Sequence, residues 1–404
     1  MRIAVVGAGA SGLMAASTAA QTSDVVLYEK NEKVGKKIYI TGKGRCNVTN
    51  ACSPSEFLDN VVNGKKFLFG AINAFPPQKT VEFLEENGVK TKVERGNRVF
   101  PQSDKSSDVI KALKRAADAY GVRYSFEQVL KIRPDDEGYT VVTDLSAEKF
   151  DKVIIACGGV SYPATGSTGD GYKFAQSLGH TVVSPRAALV PIILKDDVSS
   201  LQGLSLKNVA ATVTVCGKTF SRFGEMLFTD KGVSGPIILS LASLINRYEL
   251  NGARLSIDLK PALNAKTLDD RVLSDFAKYK NKLYKNALSD LLPSKLIDYF
   301  VRYSDVDAEK PINSITKAER SKIVEDLKNL TFTVQKLDKI ELGIITAGGV
   351  DLKEINPKTM ESKLAPGVYF VGETLDVDAL TGGFNLQIAF ATGYVAGLHA
   401  GENL

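Results

Sequence analysis

VVGAGASGLMAA, residues 5–16, is the stretch that most restricts what this chain can fold into. It follows a short apolar strand, Ile3 to Val6. Gly7, Gly9 and Gly12 fit G-x-G-x-x-G ahead of a predicted helix from Leu13 to Ala20. The first glycine allows a tight strand-to-helix turn, the second lets backbone approach a pyrophosphate, and the third lets helix pack closely on strand. The anion is expected on the free N–H groups of the helix N-terminus, where the dipole is positive. A second strand, Asp24 to Tyr28, ends in Glu29, close to the ~20-residue offset of an acid that binds a ribose hydroxyl. An acid there suits a free 2′-hydroxyl and disfavours a 2′-phosphate. An adenine dinucleotide is the expected ligand.

At 404 residues the chain is long for one hydrophobic core, so two or three domains are expected. Its 44% hydrophobic and 24% charged residues are ordinary for a globular protein. No apolar run approaches the ~20 residues of a membrane span, and Met1 leads straight into a strand, so a cytoplasmic protein without a membrane partner is expected. Its net charge of +5, from 51 basic and 46 acidic residues, does not by itself predict a nucleic-acid partner. Cys46, Cys52, Cys157 and Cys216 make no CxxC pair, and with two histidines a zinc site is not expected. His180 follows a helix end and His399 lies in a last helical turn. Both read as structural, which leaves a Ser-His-Asp hydrolase little support.

Residues 31–50 read as a loop rich in glycine and lysine, followed by helices over Ser55 to Phe75, Pro77 to Asn87 and Ser106 to Tyr120. Val129 to Arg133 and Tyr139 to Thr143 read as a strand pair, and the apolar run from Lys152 to Gly159 as a buried parallel strand. From about Ala188 alternating segments such as Val209 to Val215 and Arg254 to Leu259 suggest antiparallel β, and Asn264 to Leu330 has helical spacing. Gly367 to Glu373 reads as a further buried strand and Ala389 to Leu398 as a closing helix of small residues. The expected division is a nucleotide domain in two segments, 1–187 and 343–404. Between them lie a β insert, 188–263 with 331–342, and a helical subdomain, 264–330.

GKKIYITGKGRCNVTN, residues 35–50, offers the cations Lys36, Lys37, Lys43 and Arg45 on a thin glycine backbone to a phosphate or an anionic ring. Cys46 and Cys52 invite comparison with flavin disulfide reductases. Those carry four residues between their cysteines, and this pair has five. Helical neighbours lie three or four residues apart, not six, and the chain has no second G-x-G-x-x-G. GETLDVDALTGGFNLQIAFATG, residues 372–393, points to flavin. Gly372 and Asp376 stand where such enzymes meet the ribityl chain and second phosphate. The turn Thr381 to Asn385 leads into a helix whose amides can stabilise the negative charge of a reduced flavin. FAD is the expected cofactor. KYKNKLYK, residues 278–285, could suit an RNA backbone, but with Asp269, Asp270, Asp290 and Asp298 nearby it reads as a solvated helix face.

With GAGASG, GKGRCNVTN, PRAALVPI, LFTDKGVSGP, TAGGV and GETLDVDALTGGFNLQIA in this order, the chain resembles the BaiN/RdsA family of FAD flavoproteins along essentially its whole length. The resemblance implies a two-segment Rossmann-like FAD domain, an inserted antiparallel β-barrel-like domain and a small helical domain. The FAD contacts it implies are Gly7, Gly9, Ala10, Ser11, Gly12, Glu29, Lys30, Lys36, Lys37, Gly44, Arg45, Asn47, Val129, Gly158, Gly372, Asp376, Gly383, Asn385 and Ile388, with no metal. One branch of the family reduces 3-oxo-4,6-diene bile-acid intermediates, a second makes dihydrouridine in ribosomal RNA, and a third is described as an aminoacetone oxidase. The bile-acid branch is preferred, with a steroid enone as the small-molecule partner and ribosomal RNA as the alternative.

Both of the first two chemistries reduce an alkene conjugated to a carbonyl. Hydride from flavin N5 attacks the β-carbon, charge develops on oxygen, and an acid protonates the α-carbon, which calls for a hydrogen-bond donor and a positioned acid. Cys46, free of Cys52 and facing the flavin, is the expected acid, with Tyr162 second. Arg45 beside it is expected to lower the thiol pKa. NAD(P)H, docking transiently, is the expected electron donor.

Overall fold

The computed structural model describes residues 1–402, apart from the side chain of Lys43. It divides into two compact units, Met1–Ala188 with the segment from Lys339 onward, and Leu189–Asp338. The helices near the end of the second unit group with its strands and not as a third unit.

At the centre of the first unit is a five-stranded parallel sheet. From edge to edge its order is Val368–Phe370, Lys152–Ile155, Arg2–Val6, Asp24–Tyr28 and Arg123–Ser125. Ala4 lies between Val153 and Val26, which sets the register at the middle of the sheet. Ile3 to Val5 and Val153 to Ile155 are wholly buried, as apolar runs covered on both faces must be. In chain order the strands run fifth, fourth, first, second, third, so the winding reverses beside the first strand. The crevice outside the carboxyl ends at that reversal is where open α/β sheets take their ligands.

The last helix, Phe384–Gly401, starts five residues earlier than the spacing predicted and packs along the first helix, Ala10–Ala19. Close approach explains its small residues: a Cβ on Gly393 would stand 2.4 Å from the Ser11 carbonyl oxygen. The single helix expected over Ser55 to Phe75 is instead two, Pro54–Leu58 and Lys65–Ala74, parted by the strand Val61–Asn63. Gly64 in the left-handed region and the pairing of Val61 with Ala379 break it. The stretch expected as loop over 31–50 contains the short helix Lys36–Ile40 and a 3-10 turn, Thr41–Gly44.

In the second unit six strands close an antiparallel barrel, in the order Ile192–Leu194, Gly232–Ser234, Lys218–Phe228, Ser205–Val215, Arg254–Asp258, Leu330–Leu337. Three helices, Ala265–Lys278, Ser294–Tyr303 and Lys317–Lys328, fall within the stretch read as helical. No helix among the described residues is long and apolar enough to cross a membrane.

Candidate dinucleotide site

The glycine loop sits at the winding reversal, and its glycines answer different demands. A Cβ on Gly12 would lie 1.8 Å from the Gly7 carbonyl oxygen, so the chain itself forbids one. Gly9 caps the first helix at φ −82, where any L-residue fits, and a Cβ there would meet nothing within 4 Å. Packing does not explain this glycine. The space beside it, at the N-terminus of the first helix, is open, as an anion held by the first amides of a helix would require.

Glu29 is oriented by its neighbours. One carboxylate oxygen accepts from the Ala8 amide at 3.0 Å, and the other from the Asn31 backbone and side-chain nitrogens at 2.9 and 2.6 Å. Oε2, which accepts only the Ala8 amide, retains a lone pair for a ribose hydroxyl, whereas both sites on Oε1 are taken by Asn31. Gly158 follows the fourth strand at φ +74, its amide donating to Thr374 Oγ1 at 3.2 Å. Gly372, after the fifth strand, lies so close to the first helix that a Cβ would stand 2.6 Å from Ser11 Oγ. These segments and the glycine loop meet at one end of the sheet.

The lysines expected to contact the cofactor are engaged by the protein. Lys30 Nζ donates to Thr168 Oγ1 at 2.5 Å and Asp170 Oδ2 at 2.6 Å. Burial works against the Asp170 carboxylate, but these bonds hold its pKa below the usual value. Lys36 Nζ lies 3.3 Å from Asn31 Oδ1 and 3.2 Å from Glu32. Lys37 Nζ donates to Ser161 Oγ at 2.7 Å and Glu373 Oε2 at 2.8 Å. Glu373 was missed in the sequence, although an acid directly after the glycine of a buried strand was a usable signal.

Around Cys46 the expectation fails. Its thiol is wholly covered by protein atoms, at 0% exposure, so it has no face open to a cofactor or substrate. Arg45 does not lower its pKa: burial pushes the thiol up to about 12. The Arg45 guanidinium turns instead to Glu94 and Asp104, at 2.5 and 2.6 Å. With two carboxylates on it, Arg45 is not a free phosphate ligand. Cys46 and Cys52 are both free thiols.

Three other expected contacts are internal clips. The Asn47 amide nitrogen donates to the carbonyls of Thr49 and Val99 at 2.9 and 3.1 Å, and its oxygen accepts from Gly383 N at 2.9 Å, tying this turn to the start of the last helix. Asn385 bonds the Ala379 backbone through both amide atoms. Asp376 Oδ1 accepts from Gly348 N at 3.0 Å. Ile388 is 2% and Val129 7% exposed, so each has little side-chain surface to offer. Gly44 closes the 3-10 turn at φ +85. Of the two histidines, His180 is buried between Glu354 and Ser362, at 3.2 and 2.8 Å, and burial lowers its pKa. His399 faces Glu402.

The family model described as the HI0933-like protein Rossmann domain matches residues 1–399. The chain is 31% identical to a 3-dehydro-bile acid delta(4,6)-reductase of Clostridium scindens, over 99% of each chain. It is also 31% identical to a ribosomal RNA dihydrouridine synthase of Haemophilus influenzae, over 98% of this chain and 97% of the other. Among solved structures it shares its fold with a 3-ketosteroid-delta4-(5alpha)-dehydrogenase of Rhodococcus jostii RHA1, at a TM-score of 0.55, 14% identity and coverage of 99% and 96%. The chain is an oxidoreductase of the flavin type. It belongs to the HI0933-like family, and the unit built on its glycine loop is a Rossmann-type FAD-binding domain.

Proposed function

We propose that this enzyme binds FAD along the crevice of the parallel sheet and reduces a C=C bond conjugated to a carbonyl. The observation that carries the reading is the open space at Gly9 beside an oriented Glu29. Reduced FAD supplies the hydride. The first helix N-terminus would hold the pyrophosphate, Glu29 would take the ribose, and the first amides of the last helix would stabilise negative charge on the reduced cofactor. The proton donor is Tyr162, now that Cys46 is covered. Tyr162 is partly exposed, and its backbone is held in the left-handed region at φ +51, the kind of strain that functional loops store. A nicotinamide dinucleotide, docking transiently, would supply the electrons.

We take a uridine of ribosomal RNA as the acceptor, on the likeness to the dihydrouridine synthase together with a small cationic excess in the second unit. Residues 189–338 carry 22 Lys and Arg against 18 Asp and Glu, so +4 of the net +5 belongs to this unit. It also exposes Phe223 at 60%, a ring available to stack on a base. A bile-acid enone is the second reading, supported by the equal likeness to the bile-acid reductase.

Anaerobic reoxidation separates the two. The reduced protein is offered deproteinised ribosomal RNA, a 3-oxo-4,6-diene steroid and an amine in turn. RNA is expected to reoxidise the flavin, with an affinity that falls steeply as salt rises through counterion release. Reoxidation by the steroid alone, indifferent to salt, would reverse the assignment.

A further inference from the structure

Lys37 and Glu373 lie 336 residues apart in sequence, yet their side chains form an ion pair at 2.8 Å at the mouth of the crevice. Ser161, wholly buried, sits between them, accepting from Lys37 Nζ and donating to Glu373 Oε1 at 3.1 Å. The same Oε1 accepts from the Thr346 amide, and Thr346 Oγ1 accepts from the amides of Val160 and Ser161 at 2.9 and 3.1 Å. The group joins the short helix Lys36–Ile40, the turn after the fourth strand and Glu373, three residues past the end of the fifth. Gly372, next to Glu373, touches the start of the first helix.

This position poses an electrostatic problem. An acid within the cofactor crevice opposes the charge that a reduced flavin acquires, and the side chains of Lys37 and Glu373, only 24% and 20% exposed, are weakly screened by water. We propose that Lys37 is a positioning residue for FAD: it neutralises Glu373 and, through Ser161, fixes the turn after the fourth strand, so that the crevice favours the reduced cofactor. Its amine is spent on Glu373 and not on a phosphate. The inference rests on FAD binding and is independent of which acceptor the enzyme uses.

The test is the flavin midpoint potential of the FAD-loaded protein, measured by anaerobic titration against a reference dye with no acceptor present. Lys37→Met should move the potential negative, because Glu373 is left uncompensated. Glu373→Gln should move it positive, the double variant should return close to the parent, and Lys37→Arg should hold the parent value. If Lys37→Met and the double variant shift alike, Lys37 acts on the cofactor directly and the proposal is wrong. An unmoved potential in both single variants also overturns it. Should Lys37→Met fail to retain FAD, the double variant is expected to bind at least tenfold more tightly than the single, and no recovery would refute the pairing.

Discussion

Lys30 Nζ stands 2.6 Å from Asp170 Oδ2, joining the end of the second strand to the helix that follows the fourth, with the first strand lying between them. Asn31 Nδ2 adds a bond to the Thr165 carbonyl at 3.2 Å. Together they tie the end of the second strand to the turn and helix after the fourth, and on the proposed binding mode they would cover the FAD. Lys30→Met or Asp170→Asn should each speed FAD release by roughly tenfold, the equivalent of one partly buried charged hydrogen bond. Exchange of bound FAD followed by flavin fluorescence measures this. Release at the parent rate in both variants would show that the pair does not cover the cofactor.

The glycine loop predicts two substitutions with opposite signatures. Gly9→Val should leave the thermal stability of the apoprotein unchanged, since the side chain enters open space, and should abolish FAD binding. Gly12→Ala should lower stability by more than ~2 kcal/mol, since its Cβ collides with backbone. Melting curves with and without added FAD separate the two effects.

Burial of Cys46 removes the thiol from the chemistry. Cys46→Ala should keep the rate of acceptor reduction within about threefold of the parent, well inside the ~10²–10⁴-fold worth of a positioned acid. Tyr162→Phe should slow that same step by roughly 10²–10⁴-fold while leaving flavin reduction intact. Single-turnover reoxidation of the reduced flavin compares them. A large loss in Cys46→Ala with parent-like stability would reinstate the thiol.

His180 gives the fold an acid limit. Desolvation lowers its folded-state pKa, and the nearby Glu354 offsets this only in part. The unfolded chain therefore binds the proton more readily, near the ordinary value of 6.5. Stability from this site is complete above that pH and is lost as pH falls below it. The melting temperature should decline from about pH 6.5 downward, and His180→Gln should flatten that limb. An identical acid limb in the variant would assign the loss to other groups.

Most of the central sheet was legible in the sequence because its signals are local. A strand running into Gly7, the helix after it, and Glu29 at the end of the next strand depend on steric and hydrogen-bonding preferences within a few residues of each other. The apolar run at Lys152 to Ile155 carries its own burial, and two of the six barrel strands, near Val209 and Arg254, announce themselves by alternation. The break at Gly64 was less legible, since an apolar stretch of helical spacing hides a strand whose partner, near Ala379, is remote in sequence.

Side-chain partnership was beyond the sequence. Lys30, Lys37 and Arg45 were all expected as cofactor contacts, the last two as cations open to phosphate, because charge is visible in a sequence and the counter-charge that claims it is not. Folding brings Asp170 to the first, Glu373 to the second, and Glu94 with Asp104 to the third. Cys46 is the same lesson in burial: its neighbours in sequence are polar, but the surrounding packing closes over the thiol and outweighs the adjacent arginine. The sequence alone pointed to the cofactor class, through a glycine loop that leaves room for a pyrophosphate and a C-terminal return suited to a flavin. Which charged groups remain free to act was decided by tertiary contacts, because electrostatic partners are chosen by distance in space and by desolvation, and neither is a local property of the chain.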